Sequence, residues 1–169
     1  MKIKKLCLLG LFTALGLVLS VLEQQLPGLP FLPPGVKLGL SNIAVMYTLF
    51  FLGFPEGLVL AVIKALFVLL TRGLMAGSLS LAGGVLSVLL MAALTRTKAS
   101  YVVISAVGGI AHNIGQLLVA CLWLGTGFFS YYVPLLILSG TAAGALTGLA
   151  LTVLLPALRR IPFAKEWLE

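Results

Sequence analysis

Long runs of apolar residues, separated by short breaks, dominate this chain. A membrane-spanning helix needs about 20 apolar residues, and shorter helices can span within a tight bundle. Six runs fit, at about 6–26, 38–53, 57–73, 78–95, 100–124 and 131–158. We therefore predict an all-α integral membrane protein, a compact bundle of about six transmembrane helices in a single domain, 1–169. The main alternative has five spans, with 57–95 imperfectly divided.

Charged side chains are too few to cover a soluble protein of this size. Only 9% of the 169 residues are charged, whereas about a quarter of the residues are charged in soluble domains. Lipid must therefore solvate most of the surface, and we expect a multi-pass protein of the bacterial cytoplasmic membrane. The stretch 6–22 resembles a signal peptide, but Glu-Gln-Gln follows it directly, so we interpret it as a retained first helix.

The basic residues predict the topology, because Lys and Arg concentrate in cytoplasmic loops. With the N-terminus inside, eight basic residues fall on the inner side and two on the outer side. The inner set is Lys2, Lys4, Lys5, Arg96, Lys98, Arg159, Arg160 and Lys165, and the outer set is Lys37 and Arg72. This bias predicts an N-in/C-in arrangement, which requires an even number of spans.

The scarcity of acids excludes several kinds of chemistry. Aspartate is absent, and the four glutamates cannot form the carboxylate cluster that holds Mg²⁺ on a diphosphate. No GxxxxGK(S/T) phosphate loop is present, and one histidine with Cys7 and Cys121 is too little for a zinc site. We expect no catalytic residues, no metal and no cofactor. The charge of +7 lies at the ends of apolar runs, which indicates membrane interfaces rather than nucleic acid.

The fifth run carries the densest polar signal, around His112, Asn113 and Gln116. At 100° per residue, six polar or small residues share an arc of about 140°: Ser105, Gly108, Gly109, His112, Asn113 and Gln116. Polar groups in a bilayer face the bundle interior or a wet cavity. We favour a ligand pocket; the alternative is a hydrogen-bonded seam between helices.

Other polar residues lie at a matching depth on the outer side. Lys37, Asn42 and Arg72 join Gln116 in a net-positive concavity that suits a carboxylate or a phosphate. Taken singly, Lys37 and Arg72 are better explained as interface markers.

Two features allow alternative interpretations. Lys64 lies in mid-span and either snorkels toward Glu56 or projects into the cavity. The outer loop 26–37 holds four prolines, which remove four backbone donors, and it is either a plain connector or a lid over a pocket.

Small residues four apart predict close helix contacts. Gly140, Gly144 and Gly148 form one such stripe, and Gly10 and Ala14 form a shorter one on the first helix. For both stripes, structural packing is the default interpretation.

Three segments together resemble the Gx transporter family: Gly35–Ile43, Ser80–Gly84 and His112–Gln116. That family is also labelled heptaprenyl diphosphate synthase component I, and it is similar in size and layout to the S components of energy-coupling-factor (ECF) transporters. Those six-helix proteins capture a cofactor or precursor from outside and work with a transmembrane coupling subunit and two ATPases. The resemblance implies a substrate-binding membrane subunit of an ECF-type importer for a small anionic or amphipathic cofactor or precursor.

The resemblance also implies roles for particular positions. S components carry an AxxxA-like motif on the first helix for docking the coupling subunit, and Gly10 and Ala14 match it in part. Their first outer loop closes over the ligand, which suits residues 27–37. One alternative is a non-catalytic membrane accessory subunit of isoprenoid or quinone biosynthesis, since the chain lacks the Asp-rich motifs of a prenyl-elongating enzyme. A small autonomous carrier is a third.

The topology can be tested with thiol reagents. Cysteines introduced beside Lys4 and Arg160 should react only with membrane-permeant reagents, because both ends are expected inside. A cysteine near Gly28 should react from outside. Labelling of the two termini from opposite sides of the membrane would contradict the six-span topology.

Overall fold

The computed structural model describes residues 2–25, 40–125 and 129–159, and every element in these ranges is a helix. The helices are α1 (Lys2–Gln25), α2 (Leu40–Phe51), α3 (Phe54–Leu94), α4 (Tyr101–Leu124) and α5 (Phe129–Arg159). Within these residues, α1, α3, α4 and α5 are long and apolar enough to cross a membrane, and α2 is shorter. The prediction of an all-α, multi-pass membrane protein is confirmed.

Helix α3 reverses direction at Gly73. A straight helix of its 41 residues would be about 60 Å long, twice the hydrocarbon thickness of a bilayer. Gly73 instead has φ 85° and ψ 176°, a backbone conformation open to glycine but strained for other residues. A Cβ atom built on Gly77 would lie 2.5 Å from the Cβ of Leu69, and one on Gly84 would lie 3.4 Å from the Cβ of Ala61. These pairs meet only if the chain folds back.

The two antiparallel segments of α3 are here called α3a (54–72) and α3b (74–94). They correspond to the apolar runs predicted at 57–73 and 78–95, so the division of 57–95 that the sequence left uncertain falls at Gly73.

Contacts between helix ends show which ends lie together. The end of the bundle at which α3 reverses direction is here called the Gly73 end. At this end the Ser41 hydroxyl donates to Glu23 Oε2 at 3.4 Å, which joins the end of α1 to the start of α2. Trp123 Nε1 donates to Ser78 Oγ at 3.2 Å, which joins the end of α4 to the start of α3b. Successive segments therefore run up and down the bundle.

The opposite end of the bundle, where α1 begins, is here called the Lys5 end. There Lys5 Nζ lies 2.5 Å from Glu56 Oε1, and this ion pair joins the start of α1 to the start of α3a. The rings of Phe50, at the end of α2, and Tyr101, at the start of α4, pack edge to face with their centroids 5.0 Å apart. The apolar core occupies this half of the bundle. Its members include Val45, Met46, Leu49, Leu60, Val88, Met91, Ile104 and Leu151.

The glycine stripe of α5 packs against α4, as predicted. A Cβ atom on Gly144 would overlap the carbonyl oxygen of Ser105, and one on Gly148 would lie 2.6 Å from the Cα of Val102. The two backbones touch because these positions carry no side chain.

The shorter stripe on α1 does not pack against the rest of the described residues, so that default interpretation is wrong for Gly10 and Ala14. Both residues are exposed, and a Cβ atom on Gly10 would meet no heavy atom within 4 Å. Helix α1 packs through its other face, where the Phe12 ring stacks on Tyr47 with centroids 6.1 Å apart. The stripe therefore faces outward.

A matched pair of substitutions tests this difference. Gly144→Ala should lower the free energy of unfolding by about 1–3 kcal/mol, because the added methyl group overpacks the α4–α5 contact. Gly10→Ala should change it by less than about 1 kcal/mol, the scale of the helix-propensity difference. Thermal unfolding in detergent measures both, and equal midpoints for the two variants would contradict the packing described here.

Candidate functional site

A cavity of about 130 Å³ lies inside the bundle, and every helix contributes to its wall, which extends from Glu23 and Arg72 at the Gly73 end to Met91 and Ser105 nearer the Lys5 end. Met46 and Met91 belong both to this wall and to the apolar core, so they separate the cavity from the core. The polar and charged lining residues are Ser20, Glu23, Ser41, Asn42, Lys64, Arg72, Ser80, Ser87, Ser105, His112, Asn113, Gln116 and Thr147. The apolar lining includes Val68 and Leu79.

The structure brings together the predicted binding residues that it describes. Asn42, Arg72, His112, Asn113 and Gln116 all line this cavity, and Lys37 lies outside the described residues. The other three members of the predicted polar arc on α4 line it as well: Ser105, Gly108 and Gly109. The arc therefore faces the cavity as a unit.

Close backbone contacts fix the rotation of α4 that produces this arrangement. A Cβ atom on Gly83 would lie 2.7 Å from the carbonyl oxygen of His112, and one on Gly115 would lie 2.7 Å from that of Ala82. On the other side, a Cβ atom on Gly109 would overlap the carbonyl oxygen of Gly140. Helix α4 is thus held between α3b and α5 with its polar arc turned inward.

Asn113 serves as a seam between helices. Its side-chain amide donates to the carbonyl oxygen of Leu136 at 2.8 Å and to Ser139 Oγ at 3.2 Å, both on α5. The residue is 8% exposed. The alternative of a hydrogen-bonded seam therefore holds for Asn113, although the residue also lines the cavity.

His112 and Gln116 lie on a different side of α4 from the hydrogen bonds that Asn113 makes to α5. Both are half-buried cavity residues on the side of α4 that faces Gly83. Gln116 makes no hydrogen bond with any other residue in the described part of the chain. Its amide group can therefore serve a ligand without first breaking an internal hydrogen bond.

The sequence allowed Lys64 either to snorkel toward Glu56 or to project into the cavity. In the structure its side chain projects into the cavity. Its ammonium group donates to Asn42 Oδ1 at 2.6 Å and to Ser41 Oγ at 3.3 Å. Glu56, the alternative partner, pairs with Lys5 instead. Lys64 is 3% exposed and lines the cavity, so it joins the candidate site that we predicted without it.

Glu23 and Ser41 were also missed by the sequence-based site prediction. Glu23 is 7% exposed, lies near the end of α1 and accepts a hydrogen bond from Ser41. The available signal was an acid near the end of the first predicted span, 6–26, which we did not assign to the cavity. In the structure α1 continues to Gln25, and this acid lies on the cavity wall.

The three sequence segments that carried the family resemblance meet at this cavity. Ser41 and Asn42 come from the first segment, Ser80 from the second, and His112, Asn113 and Gln116 from the third. Residues 35–39 of the first segment lie outside the described part of the chain. The shared motifs therefore correspond to one place in the fold.

The described residues offer no recognisable metal centre, since no three His, Cys, Asp or Glu side chains among them come together. Cys7 and Cys121 are both free thiols. The wall instead offers hydrogen-bonding groups and a few charges around an apolar patch, which is typical of a site for a small organic molecule.

Comparison with known proteins gives a family and a fold. Residues 12–154 match the family model described as heptaprenyl diphosphate synthase component I. The solved structure of the S component of a bacterial ECF transporter is similar, with a TM-score of 0.72 and 22% sequence identity over 95% of this chain and 100% of that one. No protein with a curated description matches significantly. The suspected family and the structural resemblance are confirmed.

Variants of two amides distinguish a seam from a binding group. Asn113→Ala should lower the stability of the ligand-free protein by about 0.6–2 kcal/mol, because it removes contacts between α4 and α5. Gln116→Ala should leave that stability nearly unchanged, since no internal hydrogen bond is lost. Thermal unfolding of the ligand-free protein measures both, and a larger loss for Gln116→Ala would show that Gln116 is structural.

Proposed function

We propose that this chain, which belongs to the family described as heptaprenyl diphosphate synthase component I, is the substrate-binding membrane subunit of an ECF-type importer. Its substrate is a small anionic or amphipathic cofactor or precursor, taken from outside the cell. The chain itself is not an enzyme and carries no cofactor. The cavity is the observation that carries this proposal, because it concentrates polar groups inside a bundle whose fold resembles that of an S component.

The proposal includes six membrane crossings with both termini in the cytoplasm. Segments α3a and α3b have about 20 residues each and supply two of the crossings. Lys4, Lys5, Arg96 and Lys98 lie toward the Lys5 end, whereas Arg72 lies at the Gly73 end. The positive-inside rule then places the Lys5 end in the cytoplasm and opens the cavity toward the outside.

The exposed face of α1 is the proposed docking surface for a coupling transmembrane subunit, which would act with ATPases. Gly10 and Ala14 lie on this face among exposed apolar side chains, including Leu6 (69% exposed) and Leu11 (63% exposed). Small residues in such a surface let a second helix approach closely. Membrane lipid would cover the same face when no partner is bound.

The family description favours a second candidate, a non-catalytic accessory subunit of isoprenoid or quinone biosynthesis. Its partner would be a prenyl-elongating enzyme, because the present chain has no aspartate with which to bind metal–diphosphate. The two candidates differ in the protein that each requires as a partner. Co-purification from a native membrane, followed by mass spectrometry of protein and small-molecule components, separates them.

A double substitution tests the docking surface. Replacing both Gly10 and Ala14 with leucine should weaken association with a coupling subunit, because the larger side chains keep the partner helix away. Stability should change little, since both positions are exposed and a Cβ atom on Gly10 would meet no heavy atom of the described residues within 4 Å.

Ala142→Leu, at an exposed alanine of α5 away from this face, is the matched control for a leucine added to the outer surface, and it should leave association unchanged. Pull-down of the coupling subunit measures association for each variant. Undiminished association of the leucine double variant would contradict docking at this stripe.

A further inference from the structure

Three helices join in one chain of polar side chains on the cavity wall. The Ser41 hydroxyl donates to Glu23 Oε2 at 3.4 Å and accepts from Lys64 Nζ at 3.3 Å, and Lys64 also donates to Asn42 Oδ1 at 2.6 Å. A hydroxyl group can do both at once, because it has one donor and two acceptor positions. A carboxylate and an ammonium group are therefore held one hydroxyl apart, and both line the cavity.

Helix packing alone does not explain these two charges. Glu23 is 7% exposed and Lys64 is 3% exposed, and both lie in helices that are long and apolar enough to cross a membrane. Ionisable groups are costly there and mark sites of function, and buried ion pairs can often be replaced by apolar residues without loss of stability. A carboxylate and an ammonium group on a cavity wall instead suit a ligand that needs both an acceptor and a cation.

The charges on the wall set the charge of a matching ligand. Among the described residues, the charged groups that line the cavity are Glu23, Lys64 and Arg72, which sum to +1 with His112 neutral. Arg72 is exposed and makes no ion pair with any described residue. One negative charge on the ligand balances this sum, whereas a diphosphate would leave an excess of negative charge in the cavity.

We propose that Glu23, Ser41, Lys64 and Arg72 select a small monoanion that also carries a hydrogen-bond donor. Lys64 and Arg72 bind the anionic group through charge-assisted hydrogen bonds, and Glu23 accepts from the donor. Val68 and Leu79 contact the apolar body of the molecule. This assignment rests on the proposed function and names the class of its substrate.

Four probes of about the right size test the assignment. The cavity volume is about 130 Å³, and an engineered protein cavity of about 150 Å³ holds benzene. 4-Aminobenzoate has both the anion and the donor, benzoate has only the anion, benzamide is the neutral counterpart, and inorganic pyrophosphate is the multivalent anion. Isothermal titration calorimetry of the full chain in lipid nanodiscs gives the dissociation constants.

The wild-type protein should bind benzoate about tenfold or more tightly than benzamide, since charge-assisted hydrogen bonds distinguish the two. The amino group of 4-aminobenzoate should improve the affinity by a further factor of about three to ten. Pyrophosphate should not compete with 4-aminobenzoate.

Substitutions at single residues test which side chain produces the preference for an anion and which produces the gain from the amino group. Lys64→Met should reduce the preference for benzoate over benzamide by about threefold or more, because only Arg72 remains to bind the anion, and Lys64→Arg should retain the preference. Glu23→Gln should keep the preference for an anion and lose the gain from the amino group. Lys5→Met, which breaks an ion pair at the opposite end of the bundle, is the control and should bind all four probes as the wild type does.

Arg72→Gln keeps the test decisive if Lys64→Met does not fold, because Arg72 is exposed and forms no described ion pair. It should weaken benzoate binding by about three- to tenfold and leave benzamide unaffected. The assignment would be overturned by equal affinity of the wild type for benzoate and benzamide, by no binding of any probe, or by a charge preference that neither Lys64→Met nor Arg72→Gln reduces.

Failure of this assignment is distinguishable from failure of the importer function. Pull-down of the coupling subunit needs no probe. Association without a charge preference would overturn only the ligand class. A charge preference without association would overturn only the importer role.

Discussion

The contact of α4 with its two neighbours positions the other parts of the candidate site. Association of helices in lipid gains little from apolar burial, so van der Waals contact between backbones must hold them together. Glycine supplies that contact at Gly109 and Gly140 on one side of α4, and at Gly83 and Gly115 on the other. With both sides fixed, α4 cannot rotate, and its polar arc has only the cavity to face.

The buried apolar cluster lies at the inner limit of the cavity, and this position bears on function. The cavity wall extends from Glu23 and Arg72 at the Gly73 end past the middle of the bundle, and the cluster lies nearer the Lys5 end, with Met46 and Met91 shared between them. A polar solute that enters the cavity therefore meets apolar side chains below it. This arrangement suits a protein that captures a molecule from one side and depends on a partner for its passage, rather than an autonomous carrier.

The sequence predicted the parts of this site that depend on one helix at a time. The angular positions of His112, Asn113 and Gln116 follow from 100° per residue, so the sequence alone predicted that they share one face of the helix. The contacts among Glu23, Ser41 and Lys64 join three helices, and no periodicity within a helix shows which helices will be neighbours. The outward orientation of Gly10 could not be predicted either, because it also depends on which helices are neighbours of α1.

Helix α1 shows why binding and docking can be studied separately in this chain. Its inner face carries Glu23 on the cavity wall, and its outer face carries Gly10 and Ala14. The helix is tied to the bundle near both ends, by Lys5 to Glu56 and by Glu23 to Ser41. Because these ties lie on the inner face, the outer face contributes little to the stability of the fold. A change on that face therefore acts on whatever covers it, whether lipid or another helix, and leaves the cavity wall in place.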